Sequence, residues 1–306
     1  MPSPPSTRLL SPLSLVVAAT VWGLVWYPYR LLQEAGLSGS LSSLLTYALG
    51  VPFLLWLVLA RGQIALSLRQ SGQRRWLLAV ALTAGWTNLS YVLAVIHGEV
   101  MRVMLLFYLA PLWTLFFAWL ILKEWAGAWG WAVTALALGG AYVMLGGERS
   151  GPWGLPLPAT GAEWLGLSSG IGFALTNVLT RKARDIPIET RSLWVFAGVM
   201  GMSLLFVGGE LEASQAVGQA MAQLTPLHWL WMAGITLALL LATFTVQYGL
   251  AHTPATPAVV ILLFELVVAA VSSHYWAGET LGPREWLGGT MIAAATLVTL
   301  KLKHHD

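Results

Sequence analysis

The sequence predicts an all-α integral membrane protein, with ten transmembrane helices arranged as two inverted five-helix repeats. Three observations lead there. First, 57% of the 306 residues are hydrophobic and only 9% are charged, against roughly 25% charged in soluble domains. So few charges cannot cover a soluble surface, so lipid must supply the missing contact. Second, apolar stretches of about 20 residues, enough to cross a hydrocarbon core of about 30 Å, recur along the whole chain. Third, the later part of the chain repeats the earlier part at an offset of 155 residues.

The apolar stretches fall at 12–33, 38–61, 75–97, 99–122, 126–146, 161–183, 188–210, 226–249, 255–276 and 283–302. The first follows a short basic start and runs on past signal-peptide length, so it reads as a retained helix rather than a cleaved leader. Most connections are short, as in helical hairpins. Two are longer. Arg61 to Arg75 is basic, whereas Gly146 to Glu163 holds Gly151-Pro152-Trp153-Gly154-Leu155-Pro156-Leu157-Pro158 and reads as a linker. The expected organisation is a first unit over 1–150, a linker over 151–160 and a second unit over 161–306. Helix breakers mark two spans. Pro111 interrupts the fourth, and Thr253-Pro254-Ala255-Thr256-Pro257 should delay regular bonding in the ninth until after Pro257.

Charge sets the orientation. With both termini cytoplasmic, the inner side holds Arg8, Arg61, Arg69, Arg74, Arg75, Lys123, Arg181, Lys182, Arg184, Arg191, Lys301 and Lys303. The outer side holds only Arg30, Arg102, Arg149 and Arg284. Twelve basic residues against four is a positive-inside bias, so both ends of the chain are expected in the cytoplasm.

The 155-residue offset pairs Trp76 with Trp231, His97 with His252, Glu124 with Glu279, Gly127 with Gly282 and Trp131 with Trp286, with no gap between them. Each unit has five spans. An odd number makes the second unit enter the membrane from the opposite side, which is the inverted-repeat architecture of many secondary transporters, with the substrate held near the midplane.

These residues also resemble a known family. Trp22-Gly23 stands in the first span, Leu109-Ala110-Pro111 in the fourth, and Leu122-Lys123-Glu124 ahead of the fifth, which carries Gly139-Gly140. Gly278-Glu279-Thr280-Leu281 and Trp286-Leu287-Gly288-Gly289 repeat the pattern. The chain is similar to the drug/metabolite transporter superfamily, in particular its EamA-type members with two five-helix units. Leu106-Phe107-Tyr108-Leu109-Ala110-Pro111-Leu112-Trp113 resembles the aromatic amino acid exporter branch, with Ala110 standing where close relatives would more often carry tryptophan. Leu266 departs from the pattern too, since the ninth span would commonly carry a proline there.

Glu124 and Glu279 each precede a helix, where a carboxylate meets unpaired N–H groups and the positive end of the helix dipole; a coupling role is the alternative. Glu265 lies about ten residues from either end of the ninth span, where an ionised group costs about 2.5–3.5 kcal/mol on insertion scales. It must face the bundle interior, either neutral or beside a donor, and Asn88, Tyr91 and Tyr108 are candidate partners. It serves there as substrate-amine or proton-handling group, or as a structural hydrogen-bonding group.

Most of the 17 tryptophans sit near span ends, as interfacial anchors do. Trp22, Trp26, Trp86 and Trp113 are mid-span. An aromatic substrate needs flat apolar walls and polar groups for its ammonium and carboxylate. The candidate walls are Trp22, Trp26, Tyr91, Tyr108 and Trp113, and the candidate polar groups Asn88, Asn177, Thr243, Gln247 and Glu265. Packing and interhelical hydrogen bonds would use the same residue types.

The expected function is secondary transport, by alternating access, of small organic solutes outward across a bacterial-type inner membrane. The resemblance implies aromatic amino acids as the substrate; drugs, nucleosides or general metabolites are the alternative. A polytopic membrane enzyme and a channel are the rivals from other classes. There is no cysteine, and the six histidines are scattered without metal spacing, so neither metal nor cofactor is expected. No GxxxxGK[ST] run is present, which leaves a gradient or mere facilitation. The net charge of +3 is too small and too dispersed for nucleic acid.

Overall fold

The structure is a computed structural model that describes residues 5–63, 71–98, 100–145, 157–209, 224–278 and 280–302, together with Gly218 and Ala222. Among the described residues the long elements are all helices: α1 (Pro5–Glu34), α2 (Gly39–Ala60), α3 (Ser71–His97), α4 (Val100–Phe107), α5 (Ala110–Phe117), a π-helical turn (Ala118–Leu122), α6 (Gly127–Leu145), α7 (Gly161–Lys182), α8 (Ile188–Gly209), α9 (Pro226–His252), α10 (Ala255–Leu262), α11 (Phe264–Ala277) and α12 (Pro283–Leu302). Helices α4 and α5 are two segments of the fourth span, and α10 and α11 of the ninth. A helix of 22 residues, such as α2, is about 33 Å long at about 1.5 Å per residue.

The starts and stops follow from local chemistry. Ser38 caps α2 by accepting from Leu41 N at 3.3 Å, and Thr160 caps α7 by accepting from Glu163 N at 3.2 Å. At α9, Thr225 and His228 form a reciprocal capping box. Gly278 ends α11 in the left-handed region at φ 68°, where a glycine has no Cβ to clash. The start of the ninth span follows the sequence expectation, since its first regular bond runs from Ala258 N to Pro254 O at 3.1 Å, after Pro257. Helix α10 begins at Ala255, so Pro257 sits in its first turn, where the missing N–H would have had no helical partner.

Among the described residues, eight stretches are long and apolar enough to cross a membrane: Leu10–Glu34, Gly39–Ala60, Arg74–Val95, Arg102–Leu122, Gly127–Leu145, Ile188–Val207, Pro226–His252 and Ala255–Ala277. Helices α7 and α12 are not among them. Ser168, Ser169, Thr176 and Asn177 make α7 more polar, and it lies inside the bundle between α3 and the α4–α5 pair, with Asn177 and Ser169 buried. Outward-facing positions on other helices are strongly apolar. Leu205 and Leu237 are 74% and 67% exposed in mid-helix, which suits lipid rather than water.

The packing is reciprocal. Helix α3 lies along α7, and α9 along α1. The α4–α5 pair lies on α7, and the α10–α11 pair on α1. Helix α2 packs on α8, and α6 on α12. Gly140 and Gly288 meet where α6 crosses α12. A Cβ on Gly140 would lie 2.7 Å from the Gly288 carbonyl oxygen, so only small residues permit this approach.

Candidate substrate site

Two helix breaks build the centre of the molecule. In the fourth span Tyr108 and Leu109 separate α4 from α5. Leu109 N donates to Leu106 O at 3.3 Å and Leu112 N to Leu109 O at 3.0 Å, three residues back rather than four. Pro111 has no N–H to offer the preceding turn, which accounts for the break. The ninth span breaks at Leu263, 155 residues after Tyr108 (263 − 108). There Leu266 N donates to Leu263 O at 3.1 Å. Leu266, at the position of Pro111 under the same offset, has its N–H, yet uses it in the tight three-residue turn.

A cavity of about 10 Å³ lies between the breaks, about the least that admits one water. Phe107, Tyr108, Ala110 and Pro111 line it from the fourth span, Val259, Leu262, Leu263 and Glu265 from the ninth, and Phe173 from α7. Backbone irregularity at membrane depth is tolerated where it is buried in protein or lines a cavity, and both breaks meet that condition. The single charged residue in the lining is Glu265. Its Oε1 accepts from the Tyr108 hydroxyl at 3.0 Å.

Aromatic rings extend from this pair in a chain. Phe107 meets Tyr108 and Tyr91 edge-on, each at a centroid distance of 5.1 Å, and meets Phe173 at 5.5 Å. Phe173 in turn meets Trp22 edge-on at 6.0 Å. Offset and edge-to-face arrangements suit the ring quadrupoles.

Each break is also pressed by a glycine. A Cβ on Gly170 of α7 would lie 2.5 Å from Phe107 O, and one on Gly23 of α1 would lie 2.7 Å from Glu265 O. These two glycines let α7 and α1 run against the irregular backbone itself.

The family model described as EamA-like transporter family matches this chain twice, over residues 9–146 and 160–301. The chain belongs to the EamA-like transporter family. It is therefore a transporter of the drug/metabolite superfamily and not an enzyme, and it is a multi-pass membrane protein. This EamA-like transporter is 25% identical over 228 residues to an uncharacterized transporter of Archaeoglobus fulgidus, across 73% of this chain and 76% of that protein. A solved structure described only as the crystal structure of a protein superposes with a TM-score of 0.69, covering 98% of this chain and 99% of that chain at 17% identity. At that identity the likeness shows the fold.

Of the residues singled out from sequence, this EamA-like transporter brings Tyr108, Glu265, Tyr91 and Trp22 into one ring-lined group. Trp26 does other work: its Nε1 donates to Ser272 Oγ at 2.9 Å, and Ser272 donates in turn to Gly23 O at 3.2 Å, joining α1 to α11. Of the predicted set only Tyr108 and Glu265 line the cavity itself; Trp22 and Tyr91 stand one ring behind it, and Trp26, Asn88, Trp113, Asn177, Thr243 and Gln247 do not line it. Asn177 and Gln247 are buried, and Asn88 Oδ1, Asn177 Nδ2 and Gln247 Oε1 have no hydrogen-bond partner among the described residues. Trp86 turns outward at 41% exposure.

Glu124 corrects the sequence reading. It does not cap the helix that follows it. Its Oε2 accepts from Ala255 N at 3.0 Å, the start of α10, and its Oε1 accepts from Arg181 Nε at 2.6 Å. Glu279 lies outside the described residues. Sequence reasoning missed Phe107, Phe173, Leu263, Gly23 and Gly170 as site residues. The signal that would have found the second break is the 155-residue offset applied to Tyr108 and Pro111.

Proposed function

We propose that this transporter moves small organic solutes with a flat apolar body and an amino group, aromatic amino acids first among them, outward across the inner membrane by alternating access. The observation that carries the reading is the Glu265–Tyr108 pair set among aromatic rings between the two helix breaks. A carboxylate answers an ammonium, and Phe107 and Phe173 present rings to the cavity with Tyr91 and Trp22 packed edge-on behind them, so that an aromatic group entering there would meet a ring-built wall. Two matches to one family model and the reciprocal packing of α3 on α7 and α9 on α1 support two inverted five-helix units, 1–150 and 161–306, joined at 151–160. The positive-inside count supports cytoplasmic termini.

One observation favours a second reading. The cavity lining holds a carboxylate and no lysine or arginine, so an aromatic amine or cationic drug fits it without a group for a substrate carboxylate. Counterflow in liposomes separates the two. On the first reading phenylalanine, tyrosine or tryptophan exchanges faster than alanine or glutamate, and Tyr91→Ala narrows that gap about tenfold, as loss of a stacking wall should. Exchange of an aromatic amine with none of these amino acids would transfer the assignment to the second reading.

A further inference from the structure

We propose that Glu124 and Arg181 form a latch that closes the transport pathway on the basic face of the molecule and must release before the cavity opens to that side. The proposal rests on the alternating-access reading above, but not on the identity of the substrate.

The pair caps both sides of one turn. Helix α9 ends at His252 and α10 begins at Ala255, with Thr253 and Pro254 between them. Carbonyls at a helix end and N–H groups at a helix start lack helical partners, and they carry the negative and positive ends of the helix dipoles. Arg181 Nη1 donates to Leu250 O at 3.3 Å, Ala251 O at 3.4 Å and Thr253 O at 2.7 Å. Glu124 accepts from Ala255 N, so the cation sits on the C-terminal end and the anion on the N-terminal end. The Arg181–Glu124 contact then joins the two caps to each other.

These bonds join the end of α7 and the end of the fourth span to the α9–α10 turn, beside the direct contacts of α9 with α7 and α8 and of α10 with α5. Helices α3, α4, α5 and α8 pack on one another or on α7, whereas α9, α10 and α11 pack on α1. Arg181 and Glu124 belong to the first group, and the turn they hold belongs to the second. Arg191, 3% exposed, adds a second tie in the same region: its Nη1 bridges Thr180 O of α7 at 3.3 Å and Gln247 O of α9 at 3.4 Å. The interhelical Arg102–Glu163 pair at the opposite face differs. Arg102 and Glu163 make two bonds of 2.9 and 3.0 Å between α4 and α7, on one side of the cavity.

The chain also aims Glu124 by unusual means. After the π-helical turn, Lys123 takes φ 59°, and Glu124 N donates to Ala118 O at 3.1 Å. A non-glycine residue in the left-handed region persists only where its surroundings over-determine it.

The protein has no cysteine, so a single reporter, Val259→Cys in the cavity lining, can be labelled with a membrane-impermeant maleimide added to either side of the vesicles. Releasing the latch by Glu124→Gln or Glu124→Ala should raise labelling from the basic face about tenfold and lower it from the other, a shift of population between two states. The double exchange Glu124→Arg with Arg181→Glu should fail to restore the native pattern. It keeps an ion pair, but turns a guanidinium toward the Ala255 N–H and a carboxylate toward three carbonyls. Unchanged labelling in the single variants overturns the proposal. So does a rescue by the exchange, or an equal rise from both faces, which would make the pair a staple of the fold. A one-sided rise in a protein that exchanges no amino acid would sink the substrate reading and leave the latch standing.

Discussion

Gly170→Ala tests whether the breaks are held by close backbone contact. The added Cβ would lie 2.5 Å from Phe107 O and 3.1 Å from both the carbonyl carbon and the Cα of that residue. Ordinary contact begins near 3.4 Å, so α7 and the end of α4 must part by 3.4 − 2.5 = 0.9 Å. The obstructing atoms are backbone, so no rotamer change relieves them. Overpacking of this kind costs about 1–3 kcal/mol. The displacement also reaches Tyr108, the next residue, whose 3.0 Å bond to Glu265 has little slack before it fails near 3.5 Å. Thermal unfolding in detergent, followed by tryptophan fluorescence, should show a melting temperature several degrees below the parent, at about 2–4 °C per kcal/mol. Counterflow should slow as well. Gly201→Ala, with nothing within 4 Å of its new Cβ, is the control and should melt with the parent. If the two alanine variants melt and exchange alike, the glycine does not shape the break and the reasoning fails.

Two further outcomes are expected. Glu265→Gln should stay folded, because its amide oxygen still accepts from Tyr108, yet exchange should weaken or change its pH profile. Tyr108→Phe should be the less stable of the two by about 1 kcal/mol, since it leaves a half-buried carboxyl group without that donor. A wild-type pH profile in folded Glu265→Gln would make Glu265 a structural residue. In the cysteine-free background, Asp185→Cys should label from the cytoplasm, and Ala159→Cys and Thr225→Cys from outside. Labelling of Asp185→Cys and Ala159→Cys from the same side would break the inverted arrangement.

Composition and periodicity made the membrane fold legible because a bilayer imposes span length directly. Pro111 announced the first break, since a residue without an N–H disturbs a helix wherever it stands. The second was hidden, because Leu266 has its N–H and can continue a helix, so nothing local in the sequence marks the turn at Leu263. Glu265 was found because a lone acid amid apolar residues is conspicuous. Phe107 and Phe173 were missed because a buried phenylalanine looks the same in sequence whether it fills a core or walls a site. Glu124 was read through its nearest helix, whereas its partner is Ala255, 131 residues away. Local sequence identifies a residue that needs a helix end, but not which end the fold brings to it.

The cavity size bears on how the transporter works. About 10 Å³ holds no aromatic ring, so on the proposed reading a substrate would reach Glu265 only after the walls part. The bonds resisting that parting differ by place. Around the cavity they are ring contacts and one Tyr108–Glu265 hydrogen bond, which a substrate ring and ammonium would replace in kind. On the basic face they include the charged caps of Arg181 and Glu124 and the Arg191 bridge, none of which lines the cavity. On the proposed site and latch, substrate affinity and access from the basic face would be governed by separate sets of side chains. Substitutions at Tyr91 or Tyr108 should act on selectivity, those at Glu124 on the face to which the site opens, and a variant that altered both in parallel would show the two to be coupled.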